Sequence, residues 1–323
     1  NALKIKYITK ELFIKGKSNL VIVKVLKYLV FFIRTIASVL FKKHEFIYIH
    51  YPTLTILPFL FIPIFSNNKL ILHFHGTDVH SDNIWNSIFY KYLNPKKLNI
   101  KLAVFPSEYL LSVFNKNASL DCETLIYPSG GVPDFFFNNN NKMGPQALKF
   151  VYISSINEKK GVFDLISAMN IVKENHFLNV NLDIYGGGNV SQLKNEILKS
   201  GNITYKGGVR NDDIPSTLKE YDVFIFPSKL ESLGLVGIEA LACGLPIIAS
   251  DIPSINSYLI NGINGLFFEA GNIDDLAEKI KLIIEEKELF QKLSKNSSYS
   301  VKNFKSSFVN ETLLKKIHEV IWN

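Results

Sequence analysis

Cysteine is nearly missing: the 323 residues contain two, Cys122 and Cys243. Neither stands at metal-ligand spacing from the other, and two thiols make no disulfide framework, so a cysteine zinc module and a stapled secreted domain are both excluded. A reduced, cytoplasmic setting is the natural reading, with one bridge between the pair left open. Arginine is as scarce, with Arg34 and Arg210 alone. The aromatic residues lie in apolar runs rather than between guanidinium groups, which argues against nucleic acid as a partner. Long unbroken apolar runs are lacking as well. Residues 20–41 are interrupted by Lys24, Lys27 and Arg34, and the uncharged stretch 46–68 by Pro52, Pro58 and Pro63. The first is therefore no spanning helix, and the second reads as a buried strand followed by a short helix. No signal peptide is evident. The sequence opens on Asn1 rather than Met, so upstream residues are expected.

What is present is enough apolar side chain, 47% of the sequence, to bury substantial cores, in a chain about twice the length of a typical domain. The net charge of +7 is uneven. Residues 1–145 hold 17 Lys+Arg against 8 Asp+Glu, giving +9, and residues 146–323 hold 19 against 21, giving −2. The basic half suggests an anionic partner, a membrane surface or a phosphorylated acceptor among them, or plain solubilising lysine. A basic amphipathic helix near residues 24–43, with Phe31, Phe32, Ile36 and Leu40, points to peripheral membrane contact; its alternative is a core helix whose lysines snorkel.

No repeat of fixed period occurs. Short β-rich runs alternate with helical periodicity, the pattern of parallel sheets wrapped by helices. Strands are expected at 4–8, 46–50, 69–75, 102–106 and 123–127, with helices at 19–41 and 84–93. The Asn-, Gly- and Pro-rich segment 133–145 reads as a linker. Beyond it strands are expected at 149–154, 180–185, 203–206, 223–227 and 246–249, and helices at 162–173, 190–199, 214–220, 235–243 and 273–286. Two doubly wound α/β domains result, residues 1–145 and 146–305, with a C-terminal helix at about 306–323 packing back on the first. Such a pair faces across a cleft, with ligands held by loops that follow strands.

The most informative segment is 226–250, FPSKLESLGLVGIEALACGLPIIAS. A strand ends at Pro227, and a turn carrying Glu231, Ser232, Leu233 and Gly234 opens a helix that contains Glu239. The first amides of that helix, Leu235 and Val236, offer a diphosphate free N–H groups and the positive end of the dipole. Gly234 is expected to allow the close approach. Glu231 can accept from sugar hydroxyls, and Glu239, about two turns on, from a ribose diol.

This segment resembles the E-x7-E signature of glycosyltransferase family 4, with Tyr221–Ser228 as its preceding strand and Ala242–Ile247 as the strand that follows. Asn261-Gly262-Ile263-Asn264-Gly265-Leu266 is similar to the family's Asn-Gly turn. Lys159-Lys160-Gly161-Val162 resembles the motif whose lysine reaches the donor phosphates. Gly186-Gly187-Gly188 and Gly207-Gly208-Val209, with Arg210 beside them, fall at the family's glycine turns near the nucleotide. In the first half, His73-Phe74-His75-Gly76-Thr77-Asp78 resembles its His-Gly-Xaa-Asp loop, and the resemblance places His75 at the reacting sugar. Three departures stand out. Ser155 occupies the place of a family arginine, leaving Arg210 or a lysine to supply the lost charge. The glycine-rich loop after the first strand is absent, Lys15-Gly16-Lys17-Ser18 being its only candidate, and the first half is short by about one strand–helix unit.

The resemblance implies a GT-B fold and a retaining transferase in surface polysaccharide assembly. It would move a sugar from a nucleoside-diphosphate sugar to a saccharide or lipid-linked saccharide at the cytoplasmic face of the inner membrane. Its site is expected to comprise Glu231, His75 and Lys160 for chemistry. Glu239, Ser155, Gly187, Val209, Arg210, Ser232, Leu233, Gly234, Leu235 and Val236 would hold the donor. With no Asp-Xaa-Asp in the sequence, no metal or other cofactor is expected there, because helix amides and Lys160 can stabilise the departing diphosphate. The run His73, His75, Asp78, His80, Asp82 carries a competing reading as a metal site, although no distant ligand is apparent. The alternative functions are a nucleotide-sugar epimerase of the same fold and a catalytically silent binding subunit.

Overall fold

The computed structural model describes residues 11–12, 21–41, 44–61, 68–79, 89–90, 98–137, 147–176, 180–198 and 200–322. The expected strand at 4–8, the Lys15–Ser18 loop, His80, Asp82 and most of the expected helix at 84–93 lie outside them. The chain divides into two compact units, Asn1–Pro128 with Asn310–Asn323, and Ser129–Val309.

The first unit carries four parallel strands in sequential order, β1 (Phe46–His50), β2 (Lys69–His73), β3 (Ile100–Phe105) and β4 (Glu123–Ile126). Both faces of this sheet are covered, as a parallel sheet requires. Leu70, Leu72, Ala103 and Phe105 enter one core, joined by Ile36 and Val39 of the helix Val21–Phe41. Ile71, Leu102 and Val104 enter the other. That second face is closed by the C-terminal helix Ser306–Trp322, whose Leu313, Ile317 and Ile321 recur every four residues and share one core with the strands. Lys316 pairs with Glu123 at 3.2 Å, and the Tyr127 hydroxyl donates to Asn310 Oδ1 at 2.7 Å.

In the second unit six parallel strands stand in the order β10-β9-β8-β5-β6-β7. They are β5 (Lys149–Ile153), β6 (Asn181–Tyr185), β7 (Ile203–Gly207), β8 (Val223–Phe226), β9 (Ile247–Ser250) and β10 (Gly265–Phe268). Strict alternation divides them between two cores. Phe150, Tyr152, Val223 and Ile225 point into one, and Val151, Ile153, Phe224 and Phe226 into the other. β10 and the helix Lys287–Ser300 are additions to the sequence reading, which took Gly265 and Leu266 as part of a turn. After β7 the chain crosses back over β5 to lay down β8, so the direction of winding reverses between β5 and β8. Loops at the carboxyl ends of strands flanking such a reversal part company and leave room for a ligand.

The unit boundary falls earlier than the expected linker. Residues 129–137 belong with the second unit because they are tied into it. Val132 exchanges backbone hydrogen bonds with Phe304 and Ser306, at 2.7 and 2.8 Å, and Phe136 is buried in the second core. Residues 138–146 lie outside those described.

Candidate active site

Lys160 follows β5 and Glu231 follows β8, one on each side of the winding reversal. The two side chains meet, with Lys160 Nζ 2.5 Å from Glu231 Oε1, and both are largely withdrawn from solvent, at 25% and 13% exposure. The local backbone explains the approach. Asn157 caps a single 3-10 turn, its Oδ1 accepting from Lys160 N at 3.1 Å. Gly161 then turns the chain at φ +67° so close to β8 that an added Cβ would stand 2.0 Å from the Pro227 carbonyl oxygen. Lys229 N donates to Lys159 O at 2.9 Å. The lysine loop is thus clamped onto the end of β8, which brings the Lys160 side chain within reach of Glu231.

Gly234 precedes the helix Leu235–Ala242 with φ +79°. The expectation that its missing side chain makes room for a ligand needs correction. A Cβ there would meet Phe226 at 2.7 Å and the Tyr258 hydroxyl at 2.9 Å, so the space is filled from within the protein. Tyr258 donates to Gly234 O at 3.2 Å. The glycine lets this helix start lie on Phe226 and Tyr258, while the first-turn amides of Leu235 and Val236 keep no intrahelical acceptor. The side chain of Leu233 is likewise in the core, 3% exposed, so only its main chain can serve a ligand. Leu235 and Val236 pack partly on the same core, and Ser232 is half-buried.

Glu239 lies on this helix, half-buried, and burial pushes its carboxyl up to about 7. A carboxylate in that state gains from donors that would offset its desolvation.

The glycine turns sit at the ends of β6 and β7. Gly186 and Gly188 are locked against the segment after β5, since added Cβ atoms would stand 1.8 Å from Ser154 O and 2.6 Å from Ile156 O. Gly187 faces open space, and its carbonyl accepts from Ile156 N at 2.8 Å. Ser155 is exposed beside them, its carbonyl accepting from the Tyr152 hydroxyl at 2.9 Å. Val209 packs partly into the core. Arg210 turns outward, 79% exposed and paired with Asp213 at 3.0 Å. Apart from His75, then, all the expected site residues gather on the carboxyl edge of one sheet or on the helix that leaves it.

His75 belongs to the first unit, where it has company. His50 and His73 end neighbouring strands at paired positions. His50 Nδ1 is 3.3 Å from His75 Nε2, and ligand nitrogens of all three rings lie within 4.8 Å of one another. Burial lowers His73 to about 2 and His75 to about 4, the neighbouring rings adding to the effect, and lowers His50 as well. Asp78, grouped with these histidines in the sequence, faces elsewhere. Its Oδ1 accepts from Thr53 at 2.9 Å and its Oδ2 from His75 N at 2.8 Å.

The family model "Glycosyl transferases group 1" matches residues 134–299, just over half of the chain. The chain belongs to this family. An uncharacterized glycosyltransferase of Methanocaldococcus jannaschii is 27% identical over 247 residues, 73% of this chain and 66% of that protein. The N,N'-diacetylbacillosaminyl-diphospho-undecaprenol alpha-1,3-N-acetylgalactosaminyltransferase of Campylobacter jejuni is 31% identical over 166 residues, 51% of this chain and 43% of that protein. The matches therefore span between about two fifths and two thirds of these relatives' lengths. Among solved structures, sucrose-phosphate synthase from Thermosynechococcus elongatus superposes with a TM-score of 0.74 at 19% identity, covering 91% of this chain and 77% of that one. Anabaena HepE in complex with UDP and glucose gives 0.73 at 17%, covering 90% and 82%. The fold is GT-B, two Rossmann-like α/β units.

In this group 1 glycosyl transferase, sequence reasoning passed over two residues. His50 was legible only as the last residue of a strand. Its partnership with His73 needed the parallel pairing of β1 with β2. Tyr258, which holds the Gly234 turn, lies 24 residues away in a segment without periodicity.

Proposed function

We propose that this chain is a retaining glycosyltransferase of family 4 that moves a sugar from a nucleoside-diphosphate sugar to a saccharide or lipid-linked saccharide acceptor. The observation that carries the reading is the Lys160–Glu231 contact at the winding reversal, where a parallel α/β sheet binds its ligands. Glu231 and Glu239 are its E-x7-E pair. The diphosphate rests on the amides of Leu235 and Val236 with Lys160 beside it. Glu231 accepts from sugar hydroxyls and Glu239 from the ribose, and His75 of the first unit is assigned to the reacting sugar by the family resemblance alone.

In the reaction the bond between the anomeric carbon and the phosphate oxygen breaks, and the negative charge that develops on the diphosphate is met by Lys160 and the helix amides. The acceptor hydroxyl attacks from the same face, and its proton passes to the departing phosphate oxygen. Donor binding converts the Lys160–Glu231 pair into a three-way contact in which each side chain turns to its own part of the donor.

A staphylococcal relative described as a capsular polysaccharide biosynthesis glycosyltransferase, 27% identical over 188 residues, supports an acceptor in surface polysaccharide assembly. A peripheral place at the cytoplasmic face of the inner membrane fits the helix Val21–Phe41. Its Ile36 and Val39 pack inward, while Ile22, Val25, Leu26, Leu29 and Ile33 form an apolar stripe, each more than half exposed, with Arg34 beside it. A stripe of that kind seeks an interface. No helix among the described residues is long and apolar enough to cross a membrane.

The test is release of nucleoside diphosphate from UDP-, GDP- and TDP-sugars, with and without saccharide acceptors. The reading expects release that depends on an acceptor. Conversion of the donor sugar without an acceptor would establish an epimerase instead, and binding without release a silent subunit.

A further inference from the structure

Away from Lys160 and Glu231, one group of side chains converges among the described residues of which the proposed transfer uses only His75: His50, His73 and His75. Strand pairing creates the group. His50 and His73 occupy paired positions at the carboxyl ends of β1 and β2, their ring centroids 4.7 Å apart. His75 lies two residues beyond His73, on the same face by the alternation of an extended chain, with ring centroids at 4.5 Å.

Three imidazoles brought this close need something to share. His50 and His75 approach through Nδ1 and Nε2 at 3.3 Å. His73 is the odd one. Its Nδ1 is 3.0 Å from the Tyr48 hydroxyl, while its Nε2, on a side chain 3% exposed, is buried without a hydrogen-bond partner. An unpaired buried nitrogen is costly, and in this one the lone pair is free whenever the Nδ1–H donates to Tyr48. A ligating histidine is commonly held in this way, its second nitrogen fixed by an outer partner. The carboxylate nearest in sequence, Asp78, is taken up by Thr53 and the His75 amide, so the set is nitrogen-only.

We propose that His50, His73 and His75 form a three-imidazole binding site for a divalent transition ion, zinc foremost. Tetrahedral zinc holds nitrogen at about 2.0–2.1 Å, which sets three such atoms about 3.4 Å apart. One pair already stands at 3.3 Å, and the ligand nitrogens all lie within 4.8 Å of one another, so small ring rotations complete the set. His50 is exposed and His75 half-buried, which gives an ion a path from solvent, and three protein ligands leave the fourth position open. Coordination through Nε2 leaves His75 Nδ1 available to a sugar. The site shares His75 with the donor reading proposed above, and its argument uses none of Lys160, Glu231 and Glu239.

Untagged protein stripped with EDTA is titrated with zinc against a chromogenic chelator and, separately, with cobalt(II). One zinc per chain, visible bands of tetrahedral cobalt and a melting temperature that rises with zinc are expected. His50→Ala, at an exposed position that the fold tolerates, should weaken zinc at least about 100-fold, and Tyr48→Phe about 10- to 100-fold. Binding of nucleoside diphosphate, measured on the same samples, should be unchanged by His50→Ala or by EDTA. Absence of stoichiometric zinc, octahedral cobalt spectra, or a His50→Ala chain that binds zinc like the parent would overturn the site while leaving the donor-site reading untouched.

Discussion

The ammonium of Lys160 lies 2.5 Å from Glu231 Oε1, joining the loop after β5 to the loop after β8 across 71 residues of sequence. Each side chain neutralises the other in a partly desolvated place, so removing one leaves the other uncompensated. Lys160→Ala and Glu231→Ala should each lower turnover by about 10²–10³-fold, on the scale of losing one transition-state electrostatic contact. Steady-state release of nucleoside diphosphate reads this directly. Undiminished turnover in either variant would remove the pair from the mechanism.

Glu239 supplies a pH dependence. Burial raises its carboxyl from 4.5 to about 7. Between those values the folded chain keeps a proton that the unfolded chain has released, so this group lowers stability as pH rises across that window. A ribose diol donating into Glu239 needs the ionised form. Affinity for the preferred nucleoside diphosphate should therefore increase from pH 6 to pH 8, and Glu239→Gln should flatten the slope. Isothermal titration at several pH values decides it, and an equal slope in both proteins would count against the ribose contact.

The two kinds of glycine should behave differently. Gly161 combines φ +67° with a Cβ position 2.0 Å from Pro227 O, whereas Gly187 faces nothing within 4 Å. Gly161→Ala should cost about 1–3 kcal/mol or more and impair catalysis through Lys160. Gly187→Ala should stay within about 0.5 kcal/mol. Urea denaturation of the two variants gives the comparison, and equal midpoints would contradict the clamp.

The apolar stripe on Val21–Phe41 can be tested with vesicles. Leu29 and Ile33 are 54% and 57% exposed, so charging them leaves the core intact. The parent chain should float with phosphatidylglycerol vesicles, less so in high salt, and Leu29→Glu with Ile33→Glu should abolish flotation with circular dichroism unchanged. Flotation equal to the parent's would place the membrane contact elsewhere.

Much of this molecule could be read along the chain because the information is local. Alternation of β-rich runs with helical periodicity marks most strands and helices by their own residues, and β8 is an apolar run because both its faces are covered. Glu231, Gly234 and Glu239 lie within nine consecutive residues, so their common helix start was visible before any tertiary contact. Other features depend on which strands become neighbours, and no local pattern carries that. The Lys160–Glu231 contact follows from β8 settling beside β5 rather than β7. The histidine group follows from the register of β1 with β2. The role of Gly234 was misjudged for the same reason, since the atoms that fill its missing side chain come from Phe226 and the distant Tyr258. Sequence by itself determined most of the strands and helices, membership among the glycosyl transferases, and the reactive groups other than His50. Only tertiary packing decided which of those groups touch, because contact between side chains is set by strand order and register, and these are properties of the assembled sheet.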